Sequence, residues 1–276
     1  MVTRGSRVRR LPGSELVLIA VAFLAYMTIR ALGVGDRERA LVHARSMLRW
    51  EHLARIDVER GAQHVVAAPG FGRELFTAVY VWGYWPVVIG ALIYTRFRHP
   101  RRYRVLRNAL FVSGALGLVC FATFPVAPPR MLENFVDTVP AGSRAHFVAH
   151  PSGLVNAYAA FPSFHIGWFA IAWLAVVWGR ALIAQLAGLA ATVLMALAVV
   201  VTANHYVLDV VGGLLISGLV WRSRTDSRCT KGVTGVSVSG RCPVRLDASG
   251  CAARAGRPTA ARARSCSTLG ALREAS

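Results

Sequence analysis

In the stretch TANHYVLDVVGG (202–213), His205 and Asp209 stand four residues apart at the seam between two apolar runs. If a helix begins there, positions i and i+4 share a face, and the carboxylate can accept the imidazole Nδ1–H. That contact fixes the tautomer and leaves Nε2 free as a nucleophile. Two further polar clusters sit at similar seams, FPVAPPR (124–130) and FPSFH (161–165). His165, at the start of another apolar run, is placed to give a proton to a leaving oxygen. Arg130 brings a planar fork of donors suited to phosphate oxygens. The backbone N–H groups that open the helix around Ser163 form an anion site aided by the helix dipole. Two histidines, a carboxylate, an arginine and a helix N-terminus make a phosphoryl-transfer site that needs no metal and no cofactor. Each also has a plainer reading. Ser163 is a good helix N-cap, Arg130 a good interface anchor, and Asp209 a helix-start charge. Zinc held by His165, His205 and Asp209 is the chemical rival, but Arg130 beside the site suits an anion better.

Such a site needs elements that bring three separated stretches to one depth. The chain has 276 residues, 55% hydrophobic and 16% charged, where a soluble domain carries near a quarter charged residues. Apolar runs of about bilayer-spanning length recur. They are Glu15–Val34, Leu75–Phe97, Val105–Phe124, Phe164–Trp178, Ala181–Val201 and Tyr206–Trp221. The fold expected is all-α, a polytopic six-transmembrane-helix bundle. The first run lacks a small-residue cleavage site after it and reads as a span rather than a signal peptide.

The net charge of +19 is distributed in a way that argues against nucleic acid. Arg4, Arg7, Arg9 and Arg10 precede the first run, and six arginines with no acid fill Arg96–Arg107. Eleven basic and three acidic residues follow Trp221, while 125–163 balances Arg130 and Arg144 against Glu133 and Asp137. Basic segments alternate with balanced ones, which is the positive-inside pattern. It places both termini and the Arg96–Arg107 loop in the cytoplasm. The segments 35–73, 125–163 and 202–205 then lie outside, so all three polar clusters are extracytoplasmic in a multi-pass cell-membrane protein.

Three domains follow: a basic N-terminus (1–14), a membrane domain (15–221) and a basic tail (222–276), with 223–276 expected to be disordered. The five cysteines show no metal-ligand spacing. Within 39–61, Leu41, Ala44, Met47, Leu48, Trp50, Leu53 and Ala54 give one apolar face, fitting an interfacial amphipathic helix with no chemistry of its own. The remaining histidines, among them His43, His52, His64, His99, His146 and His150, read as satisfied polar groups. Trp82, Tyr84 and Trp85 read as interface or packing residues.

The three clusters resemble those of the type 2 phosphatidic acid phosphatase superfamily, over about residues 36–221. Its second motif reads Pro-Ser-Gly-His, matched by Pro162-Ser163-Phe164-His165. Its third sets a His ahead of an Asp as in His205-Tyr206-Val207-Leu208-Asp209. PPR, FPSFH and NHYVLD look most like the inositolphosphotransferase branch, which includes inositol phosphorylceramide synthase. The resemblance implies a phosphohistidine at His205 oriented by Asp209, with His165 as general acid. It implies a lipid phosphate or phospholipid substrate, and inositol or another polyol as one acceptor, with water as the other. Two positions depart from the wider pattern. The only lysine is Lys231, in the tail, and the third-motif arginine position holds Val199. Phosphate binding therefore rests on Arg130, with Arg107 as a second candidate. A lipid or phosphate transporter and an inactive scaffold relative are the readings from other classes.

Overall fold

The apolar runs fold as helices, and the polar clusters lie at their ends. A computed structural model describes residues 13–32, 37–139 and 156–229. These belong to one compact unit, Met1–Val238; the second unit, Ser239–Ser276, lies outside the described residues. In chain order the helices are α1 (Gly13–Leu32), α2 (Arg37–Ala54), α3 (Glu59–Ala67), α4 (Phe71–Arg98), α5 (Pro100–Thr123), α6 (Phe164–Val177), α7 (Leu182–Val201) and α8 (Val207–Cys229), with a single 3₁₀ turn at Pro129–Met131. Helices are thus the regular elements among the described residues, joined by loops and turns, with one isolated parallel bridge between Val126 and Ala159. Helices α4, α5 and α7 are long and apolar enough to cross a membrane. Glu15–Ile29 within α1, and α6, are shorter apolar helices. So three helices, not six, meet that criterion among the described residues. Helix α6 has only 14 residues, and α8 carries Asp209, Arg222 and Arg224 near the ends of its apolar stretch.

Helix α6 is the centre of the bundle and packs against α4, α5, α7 and α8. It is apolar on every side, as a helix with no solvent face must be, and Ile166, Phe169, Ile171, Ala172 and Ala175 are buried around it. Its contact with α8 is backbone to backbone. A Cβ on Gly213 would lie 2.0 Å from the Ser163 carbonyl oxygen, and one on Gly167 would lie 2.4 Å from the Gly213 oxygen. Only glycine allows that approach. The outer faces are apolar too: Ile89 and Ile93 of α4, Val119 of α5, Leu186 and Leu189 of α7 and Leu215 and Leu219 of α8 are all exposed. Apolar surface on that scale belongs in lipid, not water, and the protein is a membrane protein.

The bundle has two chemically distinct ends. At the arginine end, Arg107 pairs with Glu15, which also accepts a hydrogen bond from the Tyr103 hydroxyl at 3.0 Å. Arg102 donates to the Ala175 carbonyl, and Arg180 donates to the Tyr94 hydroxyl. Arg107 is therefore no phosphate ligand. It lies 16 residues before Thr123 in α5, roughly 24 Å along the helix axis at 1.5 Å per residue. The starts of α6 and α8 and the ends of α5 and α7 meet at the opposite end, where all three polar clusters lie.

The segment 39–61 differs from the single interfacial helix expected. It breaks at Arg55, whose φ is 58°, and the Arg55 and Ile56 amides close the end of α2 onto the carbonyls of His52 and Glu51. The buried stripe of α2 is Ala40, Ala44, Met47 and Glu51, whereas Trp50 and Leu53 are exposed. The tail expected to be disordered from 223 instead continues α8 as far as Cys229; 230–276 lies outside the described residues, as do 1–12.

Candidate active site

The 202–206 turn joins α7 to α8. Ala203 takes a left-handed conformation (φ 54°), and the amides of Asn204 and His205 both donate to the Val199 carbonyl at 3.1 Å. This turn aims His205 back into the bundle, where it is 6% exposed. Its Nδ1 lies 2.9 Å from the carbonyl oxygen of Ala160 and 3.4 Å from Asp209 Oδ2. A carbonyl only accepts, so Nδ1 carries a proton. The nearer partner is thus a backbone oxygen, with the expected carboxylate second. Asp209 is fully buried. Its Oδ2 also accepts the Tyr206 amide at 2.9 Å, and its Oδ1 has no hydrogen-bond partner.

Ala160 is placed by the first cluster. Val126 donates to Tyr158 O at 2.8 Å, and Ala160 donates to Val126 O at 3.2 Å, which forms the parallel bridge. The Tyr206 hydroxyl reaches Ala127 O at 3.0 Å, tying the same loop to the start of α8. Helix α2 covers it from outside: Ala127 donates to Ala40 O at 3.1 Å, and His43 donates to Pro125 O at 2.8 Å.

His165 lies in the first turn of α6. Its ring centroid is 5.6 Å from that of His205, 4.9 Å from Tyr80 and 4.7 Å from Tyr84. Two buried tyrosines of α4 thus fix the imidazole by ring contact. Tyr84, expected at the interface or in packing, thus also flanks His165; its neighbours Trp82 and Trp85 are half exposed. Ser163 precedes α6 and is fully buried, but its hydroxyl makes no capping bond and has no hydrogen-bond partner. Its amide donates to Asp209 O at 3.0 Å, so the second and third clusters are joined through backbone.

Arg130 reaches the same turn. Its amide donates to Ala203 O at 2.9 Å, and its Nη1 donates to Asn204 Oδ1. Asn204 is oriented for this because its Nδ2 donates to Thr202 Oγ1 at 2.9 Å. Arg130 Nε lies 3.8 Å from Asp137 Oδ2, and Nη2 makes no hydrogen bond among the described residues. The guanidinium is held at two edges with a third turned free.

The structure therefore brings His205, Asp209, His165, Ser163 and Arg130 to one end of the bundle. It also adds four groups to which the sequence reading gave no role in the site: the Ala160 carbonyl, Asn204, Tyr80 and Tyr84. Among the described residues no three His, Cys, Asp or Glu side chains form a metal-binding group. His43, His52 and His99 make local contacts, with the Pro125 carbonyl, Asp57 and Tyr94; His146 and His150 lie outside the described residues. A family model described as PAP2 superfamily matches residues 45–222, more than half of the chain. No curated protein and no solved structure matches it.

Proposed function

The chain belongs to the PAP2 superfamily, a membership that points to a phosphatase- or phosphotransferase-type enzyme, and from that premise we propose a lipid phosphoryl-transfer enzyme working through a phosphohistidine at His205. The observation that carries this reading is the Nδ1–H donated to the Ala160 carbonyl. A fixed Nδ1–H leaves the Nε2 lone pair free to attack phosphorus. In the first step an N–P bond forms and the P–O bond to the lipid breaks. The departing oxygen takes its proton from His165. The ring then holds Nδ1–H and N–P together and is cationic, and the buried Asp209 carboxylate offsets that charge. Arg130 and the N–H groups opening α6, with the Ser163 hydroxyl, receive the phosphoryl oxygens. In the second step His165 takes a proton from water or a polyol hydroxyl, that oxygen attacks phosphorus, and the N–P bond breaks.

The finer reading has six spans with both termini cytoplasmic. The arginine end is then cytoplasmic and the site extracytoplasmic, as charge asymmetry favours. Inositol or another polyol is one acceptor and water the other, on the inositolphosphotransferase-like motif spacing. The test is turnover. Purified protein is assayed on phosphatidic acid and on phosphodiester lipids in detergent micelles, with and without inositol. His205→Ala is expected to be inactive on every one, and acid-labile phosphate is expected to accumulate on wild type alone. Full activity in His205→Ala would overturn the phosphohistidine.

A further inference from the structure

Glu51 of α2 and Glu59 of α3 take no part in the chemistry above, yet they are 0% and 1% exposed. A carboxyl group is not buried without partners, and their partners are unusual. Glu51 Oε1 accepts the Leu208 amide at 2.7 Å, and Glu59 Oε1 accepts the Val207 amide at 2.9 Å. Asp209 Oδ2 accepts the Tyr206 amide immediately before them. Three consecutive amides at the start of α8 are thus answered by three carboxyl groups. Helix starts normally rely on a local side chain or water for these donors. Here two of the three acceptors come from 157 and 148 residues upstream. The three amides lie directly after His205, so the clamp sets where the imidazole stands against Ala160 and His165. A third buried polar residue, Gln63 of α3, binds both the amide and the carbonyl of Val136. Helix α3 therefore also fixes the loop that carries Asp137, the ion partner of Arg130.

We propose that Glu51 and Glu59 are positioning residues for the phosphoryl-transfer site. Together they clamp the first turn of α8 through the carboxyl oxygens that accept the Leu208 and Val207 amides. Two carboxylates on adjacent amides in a buried site cannot both ionise without mutual repulsion. Burial first, and the neighbouring Glu59 next, push the Glu51 carboxyl up to about 9. The titratable groups around it are Glu59 from α3 and Tyr206 and Asp209 from the start of α8. The segment 124–128 crossing α2 carries none.

This inference rests on the phosphohistidine reading for its activity arm, and a second arm tests it without turnover. In the full chain, Glu51→Gln keeps an acceptor oxygen and carries permanent N–H donors. Glu51→Ala removes both, and Glu51→Asp falls short of the amide. On phosphatidic acid in micelles, Glu51→Gln is expected to keep kcat within about 3-fold. Glu51→Ala and Glu51→Asp are expected to lose at least about 10-fold in kcat per folded molecule with little change in KM, the mark of misplaced chemistry. The second arm is the melting temperature. A carboxyl whose folded pKa is raised holds its proton in the folded chain while the unfolded chain has lost it, so its contribution falls as pH rises from about 4.5 towards 9. Glu51→Gln removes that loss, and its melting temperature should gain on wild type steadily between pH 5 and pH 8. A constant difference over that interval would overturn the raised Glu51 carboxyl. Glu51→Gln as inactive as Glu51→Ala, or Glu51→Ala with full kcat per folded molecule, would overturn the positioning role. If Glu51→Ala does not fold, Glu51→Asp and Glu59→Gln supply the same comparison. A wild type that turns over no lipid phosphate would sink the phosphohistidine reading and leave the melting arm to decide the clamp alone.

Discussion

Asp209→Asn measures how the work of orienting His205 is divided. In a triad whose aspartate alone holds the imidazole, the asparagine variant loses about 10⁴-fold, because the tautomer goes with the carboxylate. Here the Ala160 carbonyl takes Nδ1–H at 2.9 Å, and Asp209 stands behind it at 3.4 Å. Asparagine can place its oxygen at Oδ2, keep the Tyr206 amide and set its NH₂ where the unpartnered Oδ1 now lies. The tautomer survives, and the loss is the charge. Unit charges 3.4 Å apart attract by about 5 kcal/mol at an effective dielectric near 20. A transition state with roughly half of the imidazolium charge developed forfeits about 2.5 kcal/mol, or about 10²-fold in rate. The assay is kcat/KM on phosphatidic acid in micelles, with ¹⁵N spectra of labelled histidine reporting the Nδ1–H. A loss of 10⁴-fold, or an imidazole protonated at Nε2 in the variant, would refute the carbonyl as the tautomer's anchor. A loss under about 3-fold would refute the carboxylate's electrostatic role.

Three further outcomes are expected. His165→Ala should lose roughly 10²–10⁴-fold on a lipid alkoxide leaving group, the usual worth of a general acid. It should recover much of that in first-turnover nitrophenol release from nitrophenyl phosphate, and equal losses on both would remove His165 from the acid role. In a cysteine-free background, a cysteine at the exposed Val136 should react with an impermeant thiol reagent in intact cells and one at the exposed Arg101 should not; the reverse pattern would place the site in the cytoplasm. Gly213→Ala sets a methyl group 2.0 Å from the Ser163 carbonyl and should cost about 1–3 kcal/mol as an overpacked contact, read as a lower melting temperature. An unchanged melting temperature would refute the close approach of α6 and α8.

The six apolar runs were legible because each keeps one hydropathic character for most of a helix. The site histidines were legible because their side chains stand at fixed spacings inside short polar seams. Ala160 was not, because a backbone carbonyl leaves no mark on residue type. Glu51 was not, because a charged residue beside Arg49 and His52 reads as a solvated face, and only the distant amides of α8 turn it inward. The break at Arg55 has no glycine or proline to announce it. The extension of α8 to Cys229 was hidden for a related reason. Residues 222–229 lose their apolar character but contain neither proline nor glycine, so nothing local stops the helix. Tyr80 and Tyr84 share one face of α4 with Val88 and Ala91, and that spacing alone does not separate a packing tyrosine from one that flanks an imidazole.

The brevity of α6 has a consequence for what reaches the site. Fourteen residues make a helix of about 21 Å, whereas the hydrocarbon core of a bilayer is about 30 Å thick. On the six-span reading this leaves a hydrophobic mismatch of about 9 Å at the centre of the bundle. If that mismatch falls at the His165 end, the first turn of α6 lies beneath the headgroup plane. A phosphate tethered to acyl chains is delivered to that depth by its own tails, while a water-soluble ester must leave its hydration behind to get there. On that reading bilayer thickness becomes a variable of the reaction.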